Sequence, residues 1–341
     1  MHLLIPFAHC SSEGCAAALR ALQLPQLQKL LSRLVALPPD QGDPLSLSPP
    51  HERALARVLG LPATDGRIPW AAFDARQTRA ASGAWAYITP CHWEVSSKHV
   101  VMSSLTLPDF SAQDSQILLA AMQAYFAEDV IALHYFEPTR WLAQSELFDT
   151  MATASPDRVA GRDVANWLTA HGDAATLRRL QSEMQMLLYN HPLNEDRSAR
   201  GLPPVNSFWL SGTGALPPDF DSAAEPAPTL VTTLRDAALQ EDWPAWSQAW
   251  QALDSTECAR LIGVLDQGGR VQLTLCGERH AQTFQNAQTR FSDSSLRAQR
   301  GNPTSWIATA CGLAMTKTSI LQRRLANLFG NRSAATVLEQ L

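Results

Sequence analysis

The run "LPQLQKLLSRLVAL" repeats its leucines at helical spacing, with Leu24, Leu27, Leu30, Leu31 and Leu34 on one face. "SLSPPHERALARVLG" predicts a second helix, with Ser48 as its cap, prolines in the first turn and Gly60 as its stop. "IPWAAFDARQTRA" predicts a third. Ahead of them "HLLIPFA" is apolar and of strand length, so residues 20–82 read as a mainly helical part behind a strand.

The period then shortens. "AWAYITP" and "HWEVSSKHVVMS" are aromatic and β-branched, broken by Pro90 and by a turn at Ser96, Ser97 and Lys98, and they predict two or three strands. "SAQDSQILLAAMQAYFAED" predicts a helix capped by Ser111, and "VIALHYF" and "TRWLAQS" predict two further strands. "DAATLRRLQSEMQMLLYN" is a long helix whose Leu177, Leu180, Met184, Leu187, Leu188 and His191 form one stripe. "VNSFWLS" follows as a strand that ends in glycines. Helices and strands alternate, so the fold class is α+β or mixed-sheet α/β.

Residues 1–216 read as a main α+β domain, with the helical part at 20–82 and a sheet-containing core at 83–216. Residues 217–229, inside the Pro- and Ala-rich "GALPPDFDSAAEPAPT", read as a linker. Residues 230–341 read as a smaller α+β lobe. There "WPAWSQAWQALD" and "ECARLIGVLDQGG" are helical, and "RVQLTLCGERHAQTFQ" is a hairpin turning near Gly277. A segment at about 290–318 lacks periodicity and reads as a mobile insertion before a basic helix, "ILQRRLANLFG".

Composition changes this picture little. The 341 residues are 45% hydrophobic and 17% charged, enough to bury a large core. A net charge of -5 disfavours nucleic acid as a partner. No run of 18 apolar residues occurs and the start lacks a basic segment and cleavage motif, so no membrane span is read and a cytoplasmic location is expected. Six cysteines without CxxC spacing predict reduced core thiols and no metal site. "HCSSEGC", with His9, Cys10 and Cys15, reads as a polar turn before a helix. Trp167, Trp243, Trp246 and Trp250 read as core. No dinucleotide fingerprint, P-loop or nucleophile elbow is present, and no cofactor is implied.

The candidate chemistry concentrates in "NHPLNEDRSARGLPPVNSFWLSGTG", residues 190–214. Glu183 and Asn190 border one side of the preceding apolar stripe, with Gln181 and Gln185 on the other. Polar groups at such a border need partners, because an unpaired one costs roughly 1–3 kcal/mol. One reading makes Glu183, Asn190, Asn194, Arg197, Arg200 and Asn206 a network that fixes how a helix, a loop and a strand meet. The other makes His191, Arg197 and Arg200 collect a phosphate or carboxylate, aided by backbone amides from Ser211 to Gly214. The glycine turn runs into Pro217 and Pro218 rather than opening a helix, which tilts the balance towards structure. The candidate ligand-binding set is therefore Glu183, Gln185, Asn190, His191, Asn194, Arg197, Arg200, Asn206, Trp209, Gly212 and Gly214, with Arg140 and Trp141 of "EPTRW" bordering it. No catalytic residue is assigned.

"GRDVANWL", "EPTRWLAQ" and the stretch from Ser182 to Gly214 resemble segments of a proteobacterial family, the 2,3-bisphosphoglycerate-independent phosphoglycerate mutases of regulatory type. Its pattern E-x-Q-M-L-L, H-P-x-N-x-x-R and N-S-x-W-x-x-G-x-G falls on Glu183, Gln185, Met186, Leu187, Leu188, His191, Pro192, Asn194, Arg197, Asn206, Ser207, Trp209, Gly212 and Gly214. The resemblance is densest over residues 85–216. It implies a remote relation to the alkaline-phosphatase-like α/β fold, in which aspartates and histidines hold two metal ions beside a serine or threonine nucleophile. Here "LLIPFAH" is not followed by the Asp-Gly ligand of that superfamily, and no Asp-x-x-x-His cluster comes later. The expectation is a phosphoglycerate mutase-related, non-catalytic regulator or small-anion binder, with a phosphorylated small molecule as ligand. The alternatives are an active cofactor-independent phosphomutase or phosphatase with an atypical site, and a scaffold whose partner is a protein.

Overall fold

The apolar strand "HLLI" forms β1 (His2–Ile5) and pairs with residues from the far end of the chain. The computed structural model describes residues 1–78, 82–103, 105–168, 174–221, 226–286 and 333–341. The expected insertion at about 290–318, the basic helix after it and Cys311 lie outside the described residues. The architecture is mixed α/β, in two compact units. The first comprises Met1–Asp40, Thr229–Leu234 and Trp243–Leu341, and the second Gln41–Pro228 with Arg235–Asp242. The first break falls within β3 (Asp40–Gln41). The sequence pattern groups the first 40 residues with the middle of the chain; the structure groups them with the end, because β1 finds its strand partners there.

In the first unit β1 lies between β10 (Thr229–Leu230) and β11 (Gln272–Cys276), parallel to both. β12 (His280–Gln285) runs antiparallel to β11, and β2 (Val35–Ala36) antiparallel to β12. Strands with parallel neighbours are covered on both faces and need unbroken apolar runs. Leu3, Leu4, Ile5, Leu273 and Leu275 are accordingly inaccessible to solvent. The unit's helices are α1 (Glu13–Ala21), α2 (Pro25–Leu31), α10 (Trp243–Leu253), α11 (Ala259–Asp266) and α12 (Ala334–Leu338). Helix α2 has no side-chain cap of its own. Instead the buried carboxylate of Asp254, in a π-helical turn between α10 and α11, accepts the N–H groups of Gln26 (3.1 Å) and Leu27 (2.6 Å).

The second unit is built on an antiparallel sheet ordered β7 (Ala132–Glu137), β8 (Arg140–Gln144), β4 (Ala84–Cys91) and β9 (Ser207–Ala215). Two expected strand ends are overrun. β4 continues through Pro90, which is tolerated because β8 pairs only with Trp85–Ile88 and needs no donor there. β9 continues through Gly212 and Gly214, where φ is 64° and 132° and a Cβ on Gly212 would stand 2.8 Å from the Tyr87 ring. On one face of the sheet α5 (Ala112–Glu128) and α7 (Ala174–Tyr189) bury Leu118, Met122, Phe126, Leu180, Met184 and Leu188 against Ile88, Trp141 and Phe208. On the other, α4 (Trp70–Gln77) sets Ala71, Ala72 and Ala75 against Trp85, Tyr87 and Leu142. A hairpin of β5 (Trp93–Val95) and β6 (Val100–Met102) turns at the expected place. The remaining helices are α3 (Pro50–Leu59), α6 (Pro156–Val159), α8 (Pro192–Ala199) and α9 (Arg235–Leu239). Ser48 does not cap α3; Pro49 stands at that position and the Ser48 hydroxyl accepts the Gly66 N–H at 2.8 Å. Among the described residues no helix is long and apolar enough to cross a membrane.

Candidate functional site

The segment "HPLNEDRSARG", expected as a loop, contains helix α8. Its signals were present: Pro192 at the first helical position and Gly201, with φ 72°, beyond the end. His191 is the N-cap, its Nδ1 accepting the Leu193 N–H at 3.2 Å. The helix turns its polar residues onto backbone. Asn194 donates to the Leu188 and Val205 carbonyls and accepts the Val205 N–H, each at 2.8 Å. Buried Arg197 donates to the carbonyls of Pro203 (3.0 Å), Pro108 (3.0 Å) and Asp109 (3.5 Å), with its guanidinium 5.7 Å from the Phe110 ring centre. Asn206 brackets Trp93, accepting its N–H at 2.7 Å and donating to its carbonyl at 2.9 Å. The Trp209 indole donates to Ala154 O at 2.8 Å.

The other candidate residues are dispersed. Arg200 is exposed and pairs with Asp109 (2.8 Å) and Asp196 (3.6 Å). Glu183 meets Arg179 at 2.6 Å through one oxygen, while its other oxygen is buried without a hydrogen-bond partner. Arg179 also binds Asp129. Gln185 is half-buried and Asn190 exposed. Trp141 is core, its indole donating to the Ser115 hydroxyl at 2.8 Å. Arg140 lies over the rings of Tyr87 (5.0 Å) and Phe136 (5.5 Å) and bonds Glu137 at 2.8 Å. Arg140 and Gly212 thus meet at Tyr87 on the α4 face of the sheet, whereas Asn194 binds Leu188 in the core of the α5 and α7 face.

A second polar centre escaped the sequence reading. Asp157, at the start of α6, accepts the Arg235 Nε at 3.0 and 3.1 Å and faces the His51 Nε2 at 3.2 Å. Burial pushes its carboxyl up, but the His51 hydrogen bond and the Arg235 guanidinium outweigh this and hold it well below the usual carboxylate range. Next to it the Ser155 hydroxyl donates to Glu52 at 2.5 Å. Burial dominates at Glu52 and raises its carboxyl, outweighing the opposing influence of His51 and of the Ser155 hydrogen bond. The two neighbouring acids are therefore shifted in opposite directions. Arg158, beside them, repeats the device of Arg197: it donates to the carbonyls of Ser46 (2.7 Å), Pro44 (3.1 Å) and Asp43 (3.2 Å). Positions 51, 52, 155, 157 and 235 share no spacing that a linear reading could detect.

An open groove of about 930 Å³ borders the sheet, lined by Ser82, Asp129, Val130, Gln144, Glu146 and Thr176 among others. Its carboxylates suit an anion poorly. Among the described residues no three His, Cys, Asp or Glu side chains are grouped so as to hold a metal ion.

No protein-family model and no curated protein matches the chain. Among solved structures it is remotely similar to a cofactor-independent phosphoglycerate mutase from Thermoplasma acidophilum DSM 1728, at 12% identity and a TM-score of 0.33, covering 86% of this chain and 91% of that one. The PH0037 protein from Pyrococcus horikoshii is similar at 13% identity and a TM-score of 0.40, with 84% and 87% covered. Likeness at this level carries no argument about activity.

Proposed function

We propose that the chain is a non-catalytic regulatory protein related to phosphoglycerate mutases, and that it works by binding a protein partner. One observation carries the reading: the segment richest in polar residues spends them on backbone groups of this chain, near and distant, while the helix leading into it turns apolar side chains outward. Arg197, which would have to receive an anion, already meets carbonyls, and His191 caps α8. On α7 Met186 and Tyr189, one turn apart, are 79% and 82% exposed. Large apolar side chains held together in water mark contact surfaces more often than isolated ones do. Arg200 remains as an exposed cation, but Asp109 and Asp196 compete with any anion there.

The test compares the unsubstituted chain with a Met186→Glu, Tyr189→Glu double variant. A partner that co-purifies with the first and not with the second, at unchanged thermal stability, supports the reading. Turnover of 3-phosphoglycerate by the purified chain with manganese, lost on His191→Ala, overturns it. A thermal shift with phosphoglycerates but no turnover, abolished by Arg200→Ala, replaces it with the small-anion alternative.

A further inference from the structure

In the first unit the loop after β1 is held more firmly than its length requires. Phe7 has φ 54°, a left-handed conformation uncommon outside glycine. The Trp246 indole donates to Phe7 O at 3.0 Å, the Trp250 indole to Ala8 O at 3.3 Å, and the Ala8 N–H to Cys276 O at 2.8 Å. These bonds carry the following residues past the carboxyl ends of the parallel strands β1 and β11, where open α/β sheets place their reactive groups. Backbone strain kept by its surroundings clusters at such places.

Cys10 lies in this loop and Cys15 in the first turn of α1. The Cys10 N–H donates to the Cys15 sulfur at 3.2 Å, and the Cys10 side chain is hydrogen-bonded to it as well. The Cys10 thiol's hydrogen bond lowers the Cys15 thiol from its ordinary value, against the opposing pull of burial and Glu278. Two other thiols behave in the opposite way: burial raises Cys91, and pushes Cys258 up to about 12. Cys15 is buried, whereas Cys10 is half-buried and reachable.

We propose that Cys10 and Cys15 are a redox-active thiol pair that closes reversibly into a disulfide by exchange with a low-molecular-weight disulfide such as oxidised glutathione. Cys10 Sγ attacks one sulfur of the external disulfide, whose S–S bond breaks, and the leaving thiolate takes up the Cys10 proton. Cys15 Sγ then attacks Cys10 Sγ and expels the second external thiol, which carries away the remaining proton. Two protein thiols are oxidised and one external disulfide is reduced to two thiols. Peptide mapping after equilibration of the full chain with oxidised glutathione and alkylation of residual thiols tests this. A Cys10–Cys15 linkage reversed by reduced glutathione is expected, with Cys15→Ser arrested as a glutathione adduct on Cys10. On the unoxidised chain, Cys15 alkylation should reach half its maximal rate at a lower pH than an ordinary thiol, a readout independent of the variants. A persistent adduct on Cys10 in the unsubstituted chain, linkage of Cys10 to another cysteine including Cys311, or two thiols that alkylate as if untreated would each overturn the proposal.

Discussion

The α8 joint and the Asp157 cluster sit in the same unit and hold the same kind of cation, buried at Arg197 and half-buried at Arg235, yet they give it opposite partners. Arg197 meets neutral carbonyls of Pro203, Pro108 and Asp109; Arg235 meets the carboxylate of Asp157. A carbonyl does not titrate, so the joint holds at any pH where the protein is folded. The Asp157 cluster holds only while its acid is ionised. A polar side chain beside a backbone bend is thus a structural fastener, while titratable groups drawn from distant positions create sensitivity to solution conditions.

The sharpest way to break this contrast is Asp157→Ala, which removes the buried acid that faces His51 and Arg235, leaves Arg235 only its exposed pairing with Asp236, and should cost about 4 kcal/mol, read as a fall in the urea midpoint. Arg197→Ala should cost about 3 kcal/mol by leaving buried carbonyls unpaired, and Arg197→Lys should not restore it, since one ammonium cannot reproduce the planar fork. A loss below about 1 kcal/mol for Arg197→Ala would mean that the joint is not a fastener. The pH series separates the two centres further. Asp157 has a lowered folded pKa, so its contribution is present above the ordinary carboxylate range and disappears as pH falls through and below about 4. Asp157→Asn should remove that acid-sensitive component, whereas Arg197→Ala should shift the whole profile without changing its slope. Glu52 is raised, so its effect has the other sign: the folded state loses stability as pH rises from the unfolded value towards the folded one. Glu52→Gln should therefore raise the thermal midpoint at neutral pH and lose that advantage in acid. The smallest effect is expected at Arg200→Ala, within about 0.5 kcal/mol by chemical denaturation, because its pairs are exposed.

Much of the local structure was legible. The stripe from Leu177 to Leu188, the Ser111 cap, the hairpin turning at Gly277 and the core tryptophans 246 and 250 all follow from apolar spacing and turn chemistry. Helix α8 was missed although Pro192 and Gly201 bracket it, because its apolar face is only Leu193 and gives no period to read. Strand β9 outran its expected end because Gly212 fits against Tyr87, a contact that exists only once the sheet forms. Of the candidate residues, the sequence could show that Asn194, Arg197 and Asn206 needed partners. It could not show that the partners were the carbonyls of residues such as Pro108 and the backbone of Trp93, some 90 to 110 positions away. The Asp157 cluster was invisible for the same reason, since His51 and Arg235 are neighbours only in three dimensions.

The parallel pairing of β1 with β10 and β11 also sets an order of events during synthesis. As the chain leaves the ribosome, β1 emerges long before its partners, since both of its neighbours lie beyond residue 228. The second unit, almost continuous from Gln41 to Pro228, can collapse while "HLLI" still waits with unpaired edges. Closing so long a loop slows the first unit further, and an exposed apolar strand invites association with other nascent chains. The first unit is then the one whose yield should depend on translation speed and on chaperones that shield its opening residues.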